Sequence, residues 1–434
     1  MKILLVHQNF PGQYKHLARA MAAHPAAQVV AMADDKNVSA RAAPPGIERL
    51  SYAPGRDPTP GVHPYLRHVE AAVLRGQATA RKALELRQRG FVPDLICAHA
   101  GWGEALYLRD VFPRSPILAY FEFYYRADGA DMGFDPEFPI TLDDRLRVRT
   151  WNMTHQSTLF SADWGVTPTQ WQASAFPSEF NQRLSVIPEG IDTQALQPDR
   201  SARFHLADGR SFGCDDEIVT FVSRGLEPYR GFHVFMRALP DLLARRPAAH
   251  VVLVGGDAPS YGRPPVGATS WREKLLAEVG ARIDTGRVHF TGKVAYASLI
   301  SLLQISRAHV YLTYPFVLSW SLLEAMAVGA PIAASATAPV KEVIVHEHNG
   351  LLFDFFDSEA LVDTICRLLG DEGLRQALGL AARQRVIEEY DLRSRCLPAQ
   401  LALAQDVLQG RRSRTAPRCS TNEGPKPVEG ETPP

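Results

Sequence analysis

Apolar and polar positions along the chain follow two alternating rhythms. Short, nearly unbroken apolar runs carry the pattern of strands buried on both faces, and each gives way to a longer stretch with the three-to-four spacing of an amphipathic helix. In the first half the runs fall at 2–7, 29–33, 47–52, 95–98, 117–121 and 163–167, and a last run at 184–192 closes it. Helical spacing follows the turn at 8–13 as far as about 23, and fills 65–89 and 142–160, while the Pro/Gly-rich piece 53–64 reads as loop. A polar stretch without clear period, 193–216, reads as a linker. The second half repeats the pattern with strands at 218–223, 250–254 and 288–290 and helices to about 244 and at 358–369, 372–389 and 396–408. The alternation predicts an α/β protein of two Rossmann-like domains, 1–195 and 196–395, with a last helix, 396–409, crossing back to the first domain. The tail 410–434 has almost no apolar residue and is expected to be disordered.

The stretch 311–350 holds the most informative unit. It reads as the end of a strand, a helix at 321–328 with Glu324 one turn in, a stop at Gly329 and Pro331, and a second strand at 332–335. A helix starting at the carboxyl end of a parallel strand points free amides and its positive dipole end into the crevice above the sheet, where phosphorylated ligands bind. A carboxylate beside those amides suits the hydroxyls of a ribose. The spacing of Ser321 and Glu324 also fits a capping box, in which the glutamate only reaches back to an amide. In the first half, His99 and Glu122 follow strands at the same carboxyl edge and are the titratable residues best placed for chemistry there.

Composition narrows the partners. The 434 residues carry 47 Lys and Arg against 47 Asp and Glu, so a long polyanion such as nucleic acid is not the expected partner. Cys97, Cys214, Cys366, Cys396 and Cys419 are scattered without a CxxC pair, which suggests neither a disulfide framework nor a zinc site and points to a reducing, cytoplasmic setting. No apolar run approaches a membrane span. The predicted helix 65–89 bears Arg67, Arg75, Arg81, Lys82, Arg87 and Arg89 against Glu70 and Glu85. It reads as a solvated face, or as a patch for an acceptor phosphate or for peripheral contact with anionic lipid on the inner membrane face. GxGxxG, Walker A and DxD patterns are all missing, so a diphosphate has no metal ligands to lean on and its charge falls to Arg224, Arg230 and helix N-termini.

These residues resemble a known family. The pairing of Arg224 with Arg230-Gly231, the strand end Val288-His-Phe-Thr-Gly292, the block Leu323-Glu-Ala-Met-Ala327 with Gly329 and Pro331, and the closing Asn349-Gly350-Leu351-Leu352-Phe353 are similar to the family 4 (group 1) retaining glycosyltransferases of GT-B architecture. The first half resembles them more loosely, through its MKILLVHQNFPGQ opening, Asp94-Leu-Ile-Cys-Ala-His99 and Val186-Ile-Pro-Glu-Gly-Ile-Asp192, and the likeness runs to about residue 408. It implies two Rossmann-like domains facing a central cleft, a nucleotide-diphospho-sugar donor on the second, a saccharide or lipid-linked acceptor on the first, and a place in glycan or polysaccharide biosynthesis of bacterial type. No cofactor or metal is implied. Carried over, Arg224 and Arg230 would hold the diphosphate, and Glu324 the ribose. The backbone around Lys293 would read the base, and Ser319, Trp320 and Ser321 would line the donor. His99 would lie by the transferred sugar and Gly12 would let the first loop approach. His99 and Glu324 are the expected catalytic pair.

One departure stands out. Where the family carries the first of two glutamates spaced by seven residues, this chain has Phe316, and Val317 and Ser319 replace the glycines that follow. Phenylalanine accepts no hydrogen bond. The donor sugar is then held differently, or Glu122 or another group substitutes, or transfer is lost. The sequence leaves open a sugar-nucleotide epimerase and a non-catalytic nucleotide-sugar-binding protein.

Overall fold

The computed structural model describes residues 1–38 and 43–411, so the expected disordered tail lies, from 412 on, outside the described residues. The first domain is built on seven parallel strands, β1 (Lys2–Val6), β2 (Gln28–Asp34), β3 (Ile47–Tyr52), β4 (Leu95–His99), β5 (Ile117–Tyr120), β6 (Trp164–Thr167) and β7 (Leu184–Val186). Their order in the sheet is β3-β2-β1-β4-β5-β6-β7. Ile3, Leu4, Leu5 and Val6 of the central strand are wholly buried, because helices cover both faces, and this is why β1 reads as an unbroken apolar run.

A short antiparallel hairpin, β8 (Phe204–His205) with β9 (Ser211–Phe212), stands in the stretch expected to be a plain linker. Phe204 and Phe212 pair directly across it and are both buried, while Gly209, at φ 90°, serves the turn. Strands of two residues are too short to leave a period in the sequence.

The second domain contains β10 (Ile218–Gly225), β11 (His250–Gly256), β12 (Val288–Gly292), β13 (Ala308–Tyr311), β14 (Ile332–Ser335) and β15 (Leu351–Phe353), all parallel, in the order β12-β11-β10-β13-β14-β15. Helices Trp271–Val279 and Tyr296–Gln304 occupy stretches where the pattern indicated no element. In both sheets the order reverses beside the first strand, between β1 and β4 and between β10 and β13. Loops at the carboxyl ends of such neighbours splay apart and leave a crevice.

Two segments tie the domains together. Helix Leu397–Leu408 returns to the first sheet, where Leu403, Ala404 and Val407 join the core of Ile3, Leu5 and Leu95. In the other direction the chain leaving β5 wraps onto the second domain, and Phe123 and Ala130 are buried in the cluster of Phe221, Phe232 and Phe353. Along this strap Tyr229 Oη donates to Asp131 (2.8 Å), Tyr314 Oη donates to Asp135 (2.5 Å), and Arg237 pairs with Glu137 (2.6 Å). Helix Leu66–Gln88 pairs Lys82 with Glu85 and lays Arg87 on the Val111 carbonyl, and Arg89, just past its end, pairs with Glu48. No helix among the described residues is long and apolar enough to cross a membrane.

Candidate functional site

On the second domain, helix Trp320–Ala327 begins at the carboxyl end of β13 with Ser319 as its cap; the Ser319 hydroxyl accepts from the Ser321 amide, and its own amide donates to Tyr311 Oη (2.8 Å). The expected Ser321–Glu324 capping box does not form. With the cap at Ser319, the position that would reach back is Leu322 and Glu324 lies two residues beyond it; its carboxylate instead accepts from Tyr296 Oη at 2.8 Å. Burial raises the Glu324 carboxyl above its usual range, and the Tyr296 bond and the Lys15 charge only partly oppose this. Trp320, 43% exposed, donates from Nε1 to Glu189 of the first domain (3.2 Å).

Arg230 is 6% exposed. Its guanidinium donates to Thr313 Oγ1 (2.9 Å) and to the Val317 carbonyl (3.0 Å), and lies 5.2 Å from the Tyr261 ring and 5.8 Å from the Phe316 ring. No carboxylate pairs with it among the described residues. Arg224, by contrast, is exposed at the end of β10, with no hydrogen-bond or ion-pair partner among the described residues. Lys293 is exposed just past β12 and runs alongside Gly256. Phe316, only 7% exposed, packs edge-on against Phe123 of the strap (4.7 Å), Tyr261 (4.9 Å) and Tyr229 (5.5 Å).

The facing wall comes from the carboxyl ends of β1, β4 and β5. His99 Nδ1 accepts from the Gly101 amide (3.0 Å), so its proton sits on Nε2, which faces Glu122 Oε2 at 3.6 Å. His7 repeats the logic: Nδ1 accepts from the Asn9 amide, and Nε2 donates to Gln13 Oε1 at 2.6 Å. Gln13 Nε2 then donates to Glu122 Oε1 at 2.9 Å. The Trp102 indole is stacked on the His99 ring at 4.0 Å and 13°. Burial, and then the neighbouring His99, push His7 down to about 3, so its ring is neutral. Burial also opposes charge on Glu122, but the facing His99 and the hydrogen bond from Gln13 outweigh it and its pKa falls below the usual range. Gly12 sits under this network with φ 45°.

The predicted residues thus fall on two walls. Arg230, Phe316, Ser319, Trp320, Ser321 and Glu324 line one; Gly12, His99 and Glu122 line the other, and the walls meet where Phe123 touches Phe316 and where Trp320 reaches Glu189. Sequence reasoning missed His7, Gln13 and Trp102, whose signal was their place at the same strand ends as Gly12 and His99, and Tyr296, which opens a helix without a readable period. No group of three His, Cys, Asp or Glu side chains among the described residues is arranged to hold a metal ion.

Comparison with known proteins gives the family and the fold. Residues 25–196 match the family described as glycosyl transferase family 4 group, and residues 210–385 match glycosyl transferases group 1. The chain is 27% identical over 260 residues to the GDP-mannose-dependent alpha-(1-6)-phosphatidylinositol monomannoside mannosyltransferase of Mycolicibacterium smegmatis, covering 56% of this chain and 61% of that protein. It is 25% identical over 288 residues to the D-inositol 3-phosphate glycosyltransferase of Acidothermus cellulolyticus, 65% of this chain and 57% of the relative. The match therefore spans about three fifths of these relatives, 61% and 57%. Among solved structures, sucrose-phosphate synthase from Thermosynechococcus elongatus superposes with a TM-score of 0.69 at 19% identity, covering 93% of this chain and 98% of that one. Anabaena HepE, solved in complex with UDP, gives 0.64 at 17% identity, with 94% and 100% covered. With each half matched in turn and two parallel sheets facing one cleft, the chain belongs to the group 1 glycosyltransferases of GT-B architecture.

Proposed function

We propose that the protein transfers a sugar from a nucleotide-diphospho-sugar to a hydroxyl of a saccharide or lipid-linked acceptor, with retention of configuration and without a metal. The donor lies on 196–395 and the acceptor on 1–195. The observation that carries this reading is Arg230: a buried guanidinium whose partners are a hydroxyl, a carbonyl and aromatic faces, beside the N-terminus of helix Trp320–Ala327. A buried cation without a carboxylate is costly, and an anion supplied by a ligand removes that cost. A diphosphate placed there meets the guanidinium, the helix dipole and the amide of Trp320, with Arg224 free to swing in from solvent. Glu324 takes the ribose hydroxyls on releasing Tyr296, and the backbone at Lys293 reads the base. Relatives named for GDP-mannose and neighbours solved with UDP or UDP-glucose share this donor class.

In the reaction, charge accumulates on the departing diphosphate, and the fixed donors stabilise it where it forms. The bond from the anomeric carbon to the diphosphate oxygen breaks, the acceptor hydroxyl attacks that carbon from the same face and gives its proton to the departing phosphate oxygen, and the closed cleft excludes water. Titration calorimetry with UDP and GDP tests the site. Glu324→Ala and Arg230→Ala are each expected to weaken nucleotide binding by at least about tenfold, about 1.4 kcal/mol; unchanged affinity sinks the assignment. Buried Phe316 favours a second reading, a binding protein that holds the donor and transfers nothing. Product analysis with labelled donor, with and without acceptor, separates the two and also reveals epimerisation.

A further inference from the structure

We propose that Glu122, rather than His99, is the group the first domain presents to substrate: an oriented, ionised carboxylate that accepts a hydrogen bond from a hydroxyl of a neutral sugar or polyol acceptor. The inference deepens the transfer reading and rests on it only for which molecule fills the cleft. Three observations support it. First, the His99 side chain is 1% exposed and its Nε2 is buried without a hydrogen-bond partner, 3.6 Å behind Glu122 Oε2, whereas 31% of the Glu122 side chain is open. The imidazole has no free edge for a ligand; the carboxylate does.

Second, the hydrogen-bond directions all run toward Glu122. Backbone amides fix both histidines with the proton on Nε2, His7 Nε2 donates to the Gln13 side-chain carbonyl, Gln13 Nε2 donates to Glu122 Oε1 (2.9 Å), and His99 Nε2 faces Oε2 at 3.6 Å, just beyond a hydrogen bond. A carboxylate has about four acceptor positions, and the Gln13 donor occupies one of them. The rest are acceptors only, so the ligand group must be a donor. A hydroxyl fits, and a phosphate or carboxylate is repelled. His99 and Gln13 are positioning residues in this scheme.

Third, the half-buried Trp102 indole lies one ring away from the carboxylate, stacked on His99. An aromatic face near an ionised carboxylate matches the two-sided chemistry of a pyranose or cyclitol, apolar C–H on one side and hydroxyls at the rim. Glu122 also adjoins Phe123, which touches Phe316, so it stands at the seam between the walls.

The test uses full-length protein, with methyl α-D-mannopyranoside and myo-inositol as polyol probes in saturation-transfer NMR, alongside calorimetry with UDP and GDP. Wild type is expected to bind at least one polyol, and Glu122→Gln to weaken that binding at least tenfold with nucleotide affinity and melting temperature unchanged. Glu122→Asp keeps the charge on a shorter arm and is expected to retain part of the binding; if Glu122→Gln does not fold, a loss of threefold or more in Glu122→Asp supports the proposal and unchanged binding overturns it. Polyol binding by Glu122→Gln equal to wild type overturns it, as does wild type that binds neither polyol. Failure of UDP and GDP to bind wild type, with polyol binding still dependent on Glu122, refutes the transfer reading and leaves this one standing.

Discussion

At Gly12 a Cβ atom would stand 2.3 Å from His7 Nε2, on a backbone with φ 45°. Both the left-handed backbone and the close ring exclude a side chain. Gly12→Ala is therefore expected to displace the His7 ring from Gln13 and loosen the carboxylate it supports, lowering stability by about 1–3 kcal/mol in urea denaturation, with a matching fall in polyol binding. The identity of this glycine was legible in the sequence; the ring it lies against was not, because nothing in linear order marks that His7 turns back over the loop it precedes. Arg230 and Phe316 teach the same lesson. Their motif positions could be counted, but the cation held against the Phe316 ring is a product of packing from β10, β13 and the strap.

Among the elements, the strap after β5 departs furthest from what periodicity conveys. Its aromatics follow no helix or strand rhythm, so the stretch reads as irregular, yet Phe134 meets Tyr314 and Phe355, and Phe138 meets Trp271, all in the other domain. Hydrophobic period reports on a face shared within one element; a strap pinned residue by residue onto a distant surface has none. The cap of helix Trp320–Ala327 is a smaller case, since the spacing to Glu324 favours Ser321 and the backbone instead places the cap at Ser319. The strap also carries a titratable contact. Burial lifts Asp131 to about 6, against the hydrogen bond from Tyr229. Its folded pKa is raised, so the folded state keeps a proton that the unfolded state has lost, and stability falls as pH rises from about 4 to about 6. Asp131→Asn removes that fall. Calorimetry should show the variant gaining on wild type across this range, by up to about 3 kcal/mol at pH 7, and a constant difference with pH would rule the contact out as the source.

For the whole molecule, the two-domain architecture was readable because each half repeats strand and helix on its own, and the parallel sheets follow from those crossovers. Of the ties between the halves, the sequence pointed only to a last helix crossing back, and not to the strap. Domains linked by a modest polar interface usually move freely, whereas a large apolar one couples them. Here the strap places Phe123, Phe134 and Phe138 against the second domain, Glu342 accepts from the Gln170 and Trp171 amides across the cleft (2.7 and 2.8 Å), and helix Leu397–Leu408 crosses back. Each domain thus contributes buried side chains to the other's core, and unfolding either one exposes apolar surface of both. Scanning calorimetry is expected to give a single cooperative transition for wild type. Replacing Phe134 and Phe138 together by alanine removes aromatic contacts worth about 3–5 kcal/mol each when fully buried, less here because both rings are only partly covered. If the strap is what couples the domains, that variant splits into two transitions, and UDP or GDP raises only the one belonging to the second domain; a single transition in the variant, shifted down as a whole, would place the coupling instead in Glu342 and the returning helix.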